Sequence, residues 1–152
     1  MPSDAPEPQI HVRLIDGPIS ELRSAIWMTD VITAGSAGAV FTFAGHVRSR
    51  EVTENNRTQS ILGLEYEVYE PMTSQELTRL SRLHAIKHGV LAVDVQHSFG
   101  FIANGECSFF LQVATVHREE AIRFIDEFIR DMKKHVPIWK VPRLTEKVSG
   151  TV

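Results

Sequence analysis

Three lysines crowd one short stretch. In "DMKKHVPIWKVP", residues 131–142, Lys133, Lys134 and Lys140 surround Pro137 and Trp139. Basic side chains at a helix C-terminus are favoured by the macrodipole, which accounts for Lys133 and Lys134. Lys140 lies past a proline and beside a large aromatic, and these can pin the chain and aim an ammonium group. Spacing alone leaves Lys140 open as a functional group or a surface lysine. A second basic pair, His117-Arg118, stands where a strand gives way to a helix. The first amides of a helix lack internal partners and carry partial positive charge, so Arg118 there makes a phosphate site or, alternatively, a solvated helix start paired to an acid. Arg48 in "FAGHVRSR" follows a glycine at a strand end, as a binding group or a plain surface arginine.

Other chemistry is thinner. His84 and His88, four apart on one helix, could ligate a metal, but no third ligand is evident and exposed histidines are the expected reading. Cys107 falls within a strand pattern, where a packed small residue is the default. No glycine-rich phosphate loop, Gly-x-Ser-x-Gly elbow or His/Cys nucleophile pair is present.

These residues must be held by a frame. The 152 residues suit one domain: a flexible tail over 1–8, "MPSDAPEP", and a single domain over 9–152. A hydrophobic content of 43% and a charged content of 23% indicate a globular chain. The net charge of −3 argues against a protein devoted to nucleic-acid backbones. No apolar run reaches the roughly 18 residues of a membrane span. One cysteine excludes an intrachain disulfide framework, and a reducing, cytoplasmic setting is expected.

The elements follow from periodicity. "QIHVRLI" alternates as a strand, "DGPISELRSAIWM" has helical spacing, and "AVFTFAG" reads as a buried strand. Residues 46–60 are polar and read as a loop. "LGLEYEVYE" is a strand with Leu62, Leu64, Tyr66 and Val68 on one face. Thr73 and Glu76 match a capping box for a helix with Leu77, Leu80, Leu83 and Ile86 on its apolar face, ending at Gly89. "LAVDVQH" and "CSFFLQVATV" flank the turn at Asn104-Gly105 as a hairpin. A helix over about 118–134 carries Ala121, Ile125, Phe128 and Met132, widened by Ile122 and Ile129, and Pro137 stops it. The order β-α-β-β-α-β-β-α implies an α+β domain. Arg118 and Lys133, fifteen residues apart on that helix, are separated by about 22 Å at 1.5 Å per residue. Either they serve two sites, or a symmetric dimer brings one chain's helix start to the other's helix end.

"GAVFTFAGHVR", "LEYEVYEPM", "HSFG…NGE", "TVHREEAIRFIDEFI" and "KKHVPIWK", in that order, resemble the large, catalytic subunit of molybdopterin synthase. The resemblance spans roughly residues 10–140. It implies an α/β hammerhead-type fold with an additional antiparallel β region, and a central homodimer in a heterotetramer. It also implies a small ubiquitin-like sulfur-carrier subunit whose C-terminal Gly-Gly tail, as a thiocarboxylate, enters the pocket. Sulfur would pass twice to cyclic pyranopterin monophosphate to form the molybdopterin dithiolene, with no metal or organic cofactor. Carried over by position, Lys133 and Lys140 are the active-site lysines, and Arg48, His117 and Arg118 bind substrate. Arg118 would reach across the dimer to the pterin phosphate, and Pro137 and Trp139 would fix a turn returning Lys140 to the pocket of Lys133. The chain departs from the family where Val141 and Pro142 replace a basic residue and a glutamate, and where Ser98 replaces a common arginine. The second functional reading is a non-catalytic scaffold that binds the carrier.

Overall fold

Alternating apolar residues in "QIHVRLI" form a strand, β1 (Gln9–Asp16), as their period requires. A computed structural model describes residues 5–20, 31–32, 34–52 and 54–145. Most of the helix expected in "DGPISELRSAIWM" lies outside them. The further elements are β2 (Ala39–His46), β3 (Arg50–Val52), β4 (Thr58–Val68), α1 (Met72–His88), β5 (Ala92–Ala103), β6 (Cys107–Thr115), α2 (Arg118–His135) and β7 (Ile138–Leu144). The sheet runs β2-β6-β5-β4-β3, with β1 added parallel to β5 and β7 antiparallel to β4. This is the expected α+β fold: a helix-covered sheet of β1, β2, β5 and β6, extended by an antiparallel region of β3, β4 and β7. Among the described residues, no helix is long and apolar enough to cross a membrane.

β5 joins the two regions. Its residues 92–99 pair with β1, and from Gly100 onward β4 takes over that role. Val93, Val95 and His97 lie opposite Val113, Leu111 and Phe109 of β6. Opposed residues share a face, and this face meets the helices. Leu77 and Leu80 of α1 and Ala121, Phe124, Phe128 and Met132 of α2 close the main core over it. Phe124 and Phe128 are fully buried and stacked at 5.3 Å. Each such side chain contributes about 1.5–3 kcal/mol by leaving water.

Local expectations held where the pattern was strong. Gly89 ends α1 with φ 69°, the left-handed stop that glycine takes without strain. The turn at Asn104-Gly105 joins β5 to β6 as a hairpin. Others are corrected. Residues 46–60 are not simply a loop: β3 pairs with the start of β4, Arg50 opposite Ser60. In β4, Leu62 is exposed whereas Ile61 is buried, because pairing with β7 shifts between Ile61 and Gly63 and breaks the alternation.

In α1, Leu83 and Ile86 are exposed, and the buried stripe is Thr73, Leu77, Leu80, Ser81, His84 and Ala85. The Thr73–Glu76 capping box does not form. Thr73 Oγ1 accepts the Tyr69 N–H and donates to the Pro137 carbonyl, both at 2.9 Å. Glu76 instead pairs with Arg79, and Glu70 accepts the Ser74 N–H at 2.8 Å.

Candidate active site

Pro137 stops α2 as its missing N–H and ring require. The chain then turns tightly, with Ile138 N–H donating to the Val136 carbonyl at 2.8 Å, and enters β7 directly. Lys140 therefore rides on a strand, not on a turn. Trp139 is 64% exposed and does not anchor the segment. The anchor is Thr73, whose hydroxyl holds the Pro137 carbonyl, and the ladder of β7 on β4.

That ladder sets Lys140 opposite Tyr66, hence on the same face. Tyr66 has its hydroxyl 3.2 Å from Ser108 Oγ and its ring edge-on to His97 at 5.2 Å. His97 meets Phe109 at 5.7 Å, and Phe109 meets Phe43 of β2 at 5.9 Å. A row of rings thus crosses the sheet from β4 to β2 on its helix-covered face. His97 is buried, and burial pushes its imidazole below the ordinary value, partly offset by the hydrogen bond from Nδ1–H to the Ser98 carbonyl at 2.7 Å.

The cations divide along this face. Lys140 Nζ donates to Glu51 Oε1 at 2.5 Å, and Arg48 Nη2 lies 3.9 Å from Glu51 Oε2. Glu51 is only 11% exposed at its side chain, so Arg48 and Lys140 converge on one sheltered carboxylate. Lys133 stands at the other end of the row. It lines an open groove of about 640 Å³ between α2 and β2, with Phe41, Phe43, Ile125 and Ile129. His117 and Arg118 are exposed at the far end of α2. There Glu120 accepts the His117 N–H at 3.0 Å, and the Thr115 hydroxyl donates to the His117 carbonyl at 2.6 Å. The structure thus brings Arg48 and Lys140 together, sets Lys133 on the same sheet face, and leaves His117 and Arg118 at the opposite helix terminus.

Glu51 was missed because residues 46–60 read as a loop. The faint signal was the pair Asn55-Asn56, a turn between short extended stretches, and Asn56 does take φ 57°. The expectation of exposed histidines is also corrected. His84 is buried and His88 is 10% exposed at its side chain, both wedged between α1 and α2. Cys107 is buried within β6, as expected.

A family model described as "MoaE protein" matches residues 20–135. The probable molybdopterin synthase of Haloferax volcanii is 33% identical over 111 residues, covering 73% of this chain and 41% of that protein. The molybdopterin synthase catalytic subunit of Bacillus subtilis is 36% identical over 104 residues, covering 68% of this chain and 63% of that protein. The chain thus spans about half the length of these curated relatives. A structure of the complex of subunits 1 and 2 of molybdopterin-converting factor from Helicobacter pylori contains a similar chain. It is 25% identical, with a TM-score of 0.68 and 91% of each chain covered. The matched segment contains most of the strands, both described helices, Arg48, His117, Arg118 and Lys133, and the chain belongs to the MoaE protein family.

Proposed function

We propose that this chain is the catalytic subunit of a molybdopterin synthase. It would transfer sulfur from the C-terminal thiocarboxylate of a small ubiquitin-like carrier to cyclic pyranopterin monophosphate, twice, to form the dithiolene. Family membership and the relatives' names support this reading. The single observation that carries it to these residues is the meeting of Arg48 and Lys140 around Glu51, on the face that also bears Lys133. Both reactants are anions, a cyclic phosphate and a thiocarboxylate. Fixed cations gather such groups and stabilise charge as the tail's sulfur is transferred. Lys140 is half exposed and bound to a carboxylate, so an anion-gathering role suits it. Glu51 occupies the place that a substrate anion would take.

His117 and Arg118 enter this scheme from a second copy of the chain, because about 22 Å of helix separates Arg118 from Lys133 in one copy. The working unit is then a homodimer with one carrier at each end, each chain contributing the domain over 9–152 in a reducing cytoplasm. A strictly monomeric, fully active protein would refute the shared site. The deciding experiment mixes the purified chain with thiocarboxylated carrier and cyclic pyranopterin monophosphate and measures molybdopterin. Product formation is expected. Carrier binding without product would favour the scaffold reading, for which the replacements at Val141 and Pro142 on β7 speak.

A further inference from the structure

The histidines of α1 and the carboxylates of α2 form a second polar cluster. His84 and His88 follow one another by four residues, so both rings point from one side of α1, stacked at 6.4 Å and 8° from parallel. Glu127 and Asp131, also four apart, face them from α2. His84 Nε2 lies 2.7 Å from Asp131 Oδ2, and His88 Nε2 lies 2.7 Å from Glu127 Oε2. Lys87 Nζ donates to the same Glu127 oxygen at 2.9 Å.

One atom in this cluster is unsatisfied. The Asp131 carboxylate can only accept, so His84 donates from Nε2–H. That leaves Nδ1 with a lone pair in the neutral ring. The His84 side chain is 6% exposed, and its Nδ1 has no hydrogen-bond partner. It lies 3.5 Å from Glu127 Oε2, out of hydrogen-bonding geometry. A lone pair aimed at a carboxylate oxygen in a buried place is unfavourable unless a proton or a metal ion lies between them.

We propose that His84, His88 and Glu127 form a binding site for a divalent transition metal of the zinc class, with Asp131 orienting His84 from behind. One donor atom from each of the three lies within 4.8 Å of the others. Zinc bonds of ~2.0–2.1 Å in tetrahedral geometry set donor atoms ~3.3 Å apart. The His84–Glu127 separation of 3.5 Å already fits, whereas the His84 and His88 donors, within 4.8 Å of one another, must draw together on binding. The His88–Glu127 contact must open by about 0.6 Å to reach the same tetrahedral spacing, and His88 must release its Nε2 proton to solvent before that nitrogen can ligate. Two imidazoles and one carboxylate select zinc, cobalt or nickel over magnesium or calcium, and leave one position for water. The Asp131–His84 hydrogen bond is the carboxylate–histidine support that metal-binding imidazoles commonly have. Before metal enters, the hydrogen bonds from Lys87 and His88 hold the Glu127 carboxyl well below its ordinary range, at about 2, so an arriving cation meets a carboxylate that is already charged. Lys87, 59% exposed, swings into solvent as the metal enters. The ion would staple α1 to α2, the two helices that cover the sheet. This site is separate from the sulfur-transfer reading and does not depend on it.

The test measures cobalt binding by its visible absorption, and zinc binding by competition with a chromophoric chelator, on the whole chain at pH 7.5. One ion per chain is expected. His88→Ala and Glu127→Gln each weaken binding at least ~10-fold, and Asp131→Asn weakens it ~10- to 100-fold through the lost support. Lys87→Met tightens binding, because the competing ammonium is gone. Zinc raises the melting temperature of the wild-type chain and not that of His88→Ala. Circular dichroism establishes that each variant is folded. The proposal is overturned if no saturable binding occurs, if binding survives both His88→Ala and Glu127→Gln unchanged, or if Lys87→Met leaves affinity unaltered.

Discussion

Glu51→Gln separates the two roles the sheltered carboxylate could have. The substitution keeps shape and an acceptor oxygen but removes the charge that faces Lys140 and Arg48. A hydrogen bond between charged groups contributes roughly 1.5–3 kcal/mol when well shielded. Here Lys140 is 55% exposed, which screens the pair and brings its net contribution to about 1 kcal/mol. Arg48, 81% exposed and 3.9 Å away, adds almost nothing. Stability to urea should therefore fall by only about 1 kcal/mol. The kinetic effect runs the other way. An anionic substrate must displace Glu51 from the cations, and without that competitor its binding improves by about 1 kcal/mol, roughly 5-fold. Steady-state molybdopterin formation should show a lower KM for the cyclic pterin with kcat little changed. A folded Glu51→Gln protein whose KM rises, or whose turnover falls more than about 10-fold, refutes the reasoning and makes Glu51 a required group.

Three further outcomes are expected. Lys140→Ala should abolish dithiolene formation while leaving carrier binding largely intact; near-normal turnover defeats its assigned role. Gly63→Ala should be destabilising, because a Cβ there would lie 2.3 Å from the Ile102 carbonyl oxygen and 2.8 Å from the Phe101 ring. A cost of about 2–3 kcal/mol should lower the melting temperature by roughly 5–10 °C in calorimetry, and an unchanged value would show that β4 and β5 approach less closely. The buried, down-shifted His97 favours the neutral ring in the folded state. Its contribution is fully present above the unfolded value of about 6.5 and is lost as pH falls below it. Urea midpoints should drop as pH falls below about 6.5, and His97→Gln should flatten that slope.

The candidate site was partly legible. "KKHVPIWK" marked Lys133 and Lys140 through composition and the proline break, and the glycine at the end of β2 marked Arg48. What escaped was the partner of these cations. Glu51 lies on β3, three residues long, which has no apolar alternation of its own and exists because β4 offers it a ladder. β7 escaped for the same reason: its pattern is mixed, Trp139 and Val141 are exposed, and pairing with β4 holds it. The capping box at Thr73 failed because the helix begins at Met72 after Pro71, so Thr73 lies inside its first turn, where its hydroxyl accepts the Tyr69 N–H and donates to the Pro137 carbonyl 64 residues away.

The amino-acid order by itself determined what depends on near neighbours. The helical period of α2 through Ala121, Phe128 and Met132, the stop at Gly89, the hairpin turn at Asn104-Gly105 and the break at Pro137 all follow from side-chain spacing and backbone freedom within a few residues, whereas packing on the sheet turned the stripe so that Phe124 is buried and Ile122 exposed. Only the tertiary structure decided which charges meet. Lys140 and Glu51 are 89 residues apart, and His84 and Asp131 are 47 apart. Such pairings arise when strand registers and helix faces are set by burying apolar surface, and no local period encodes them.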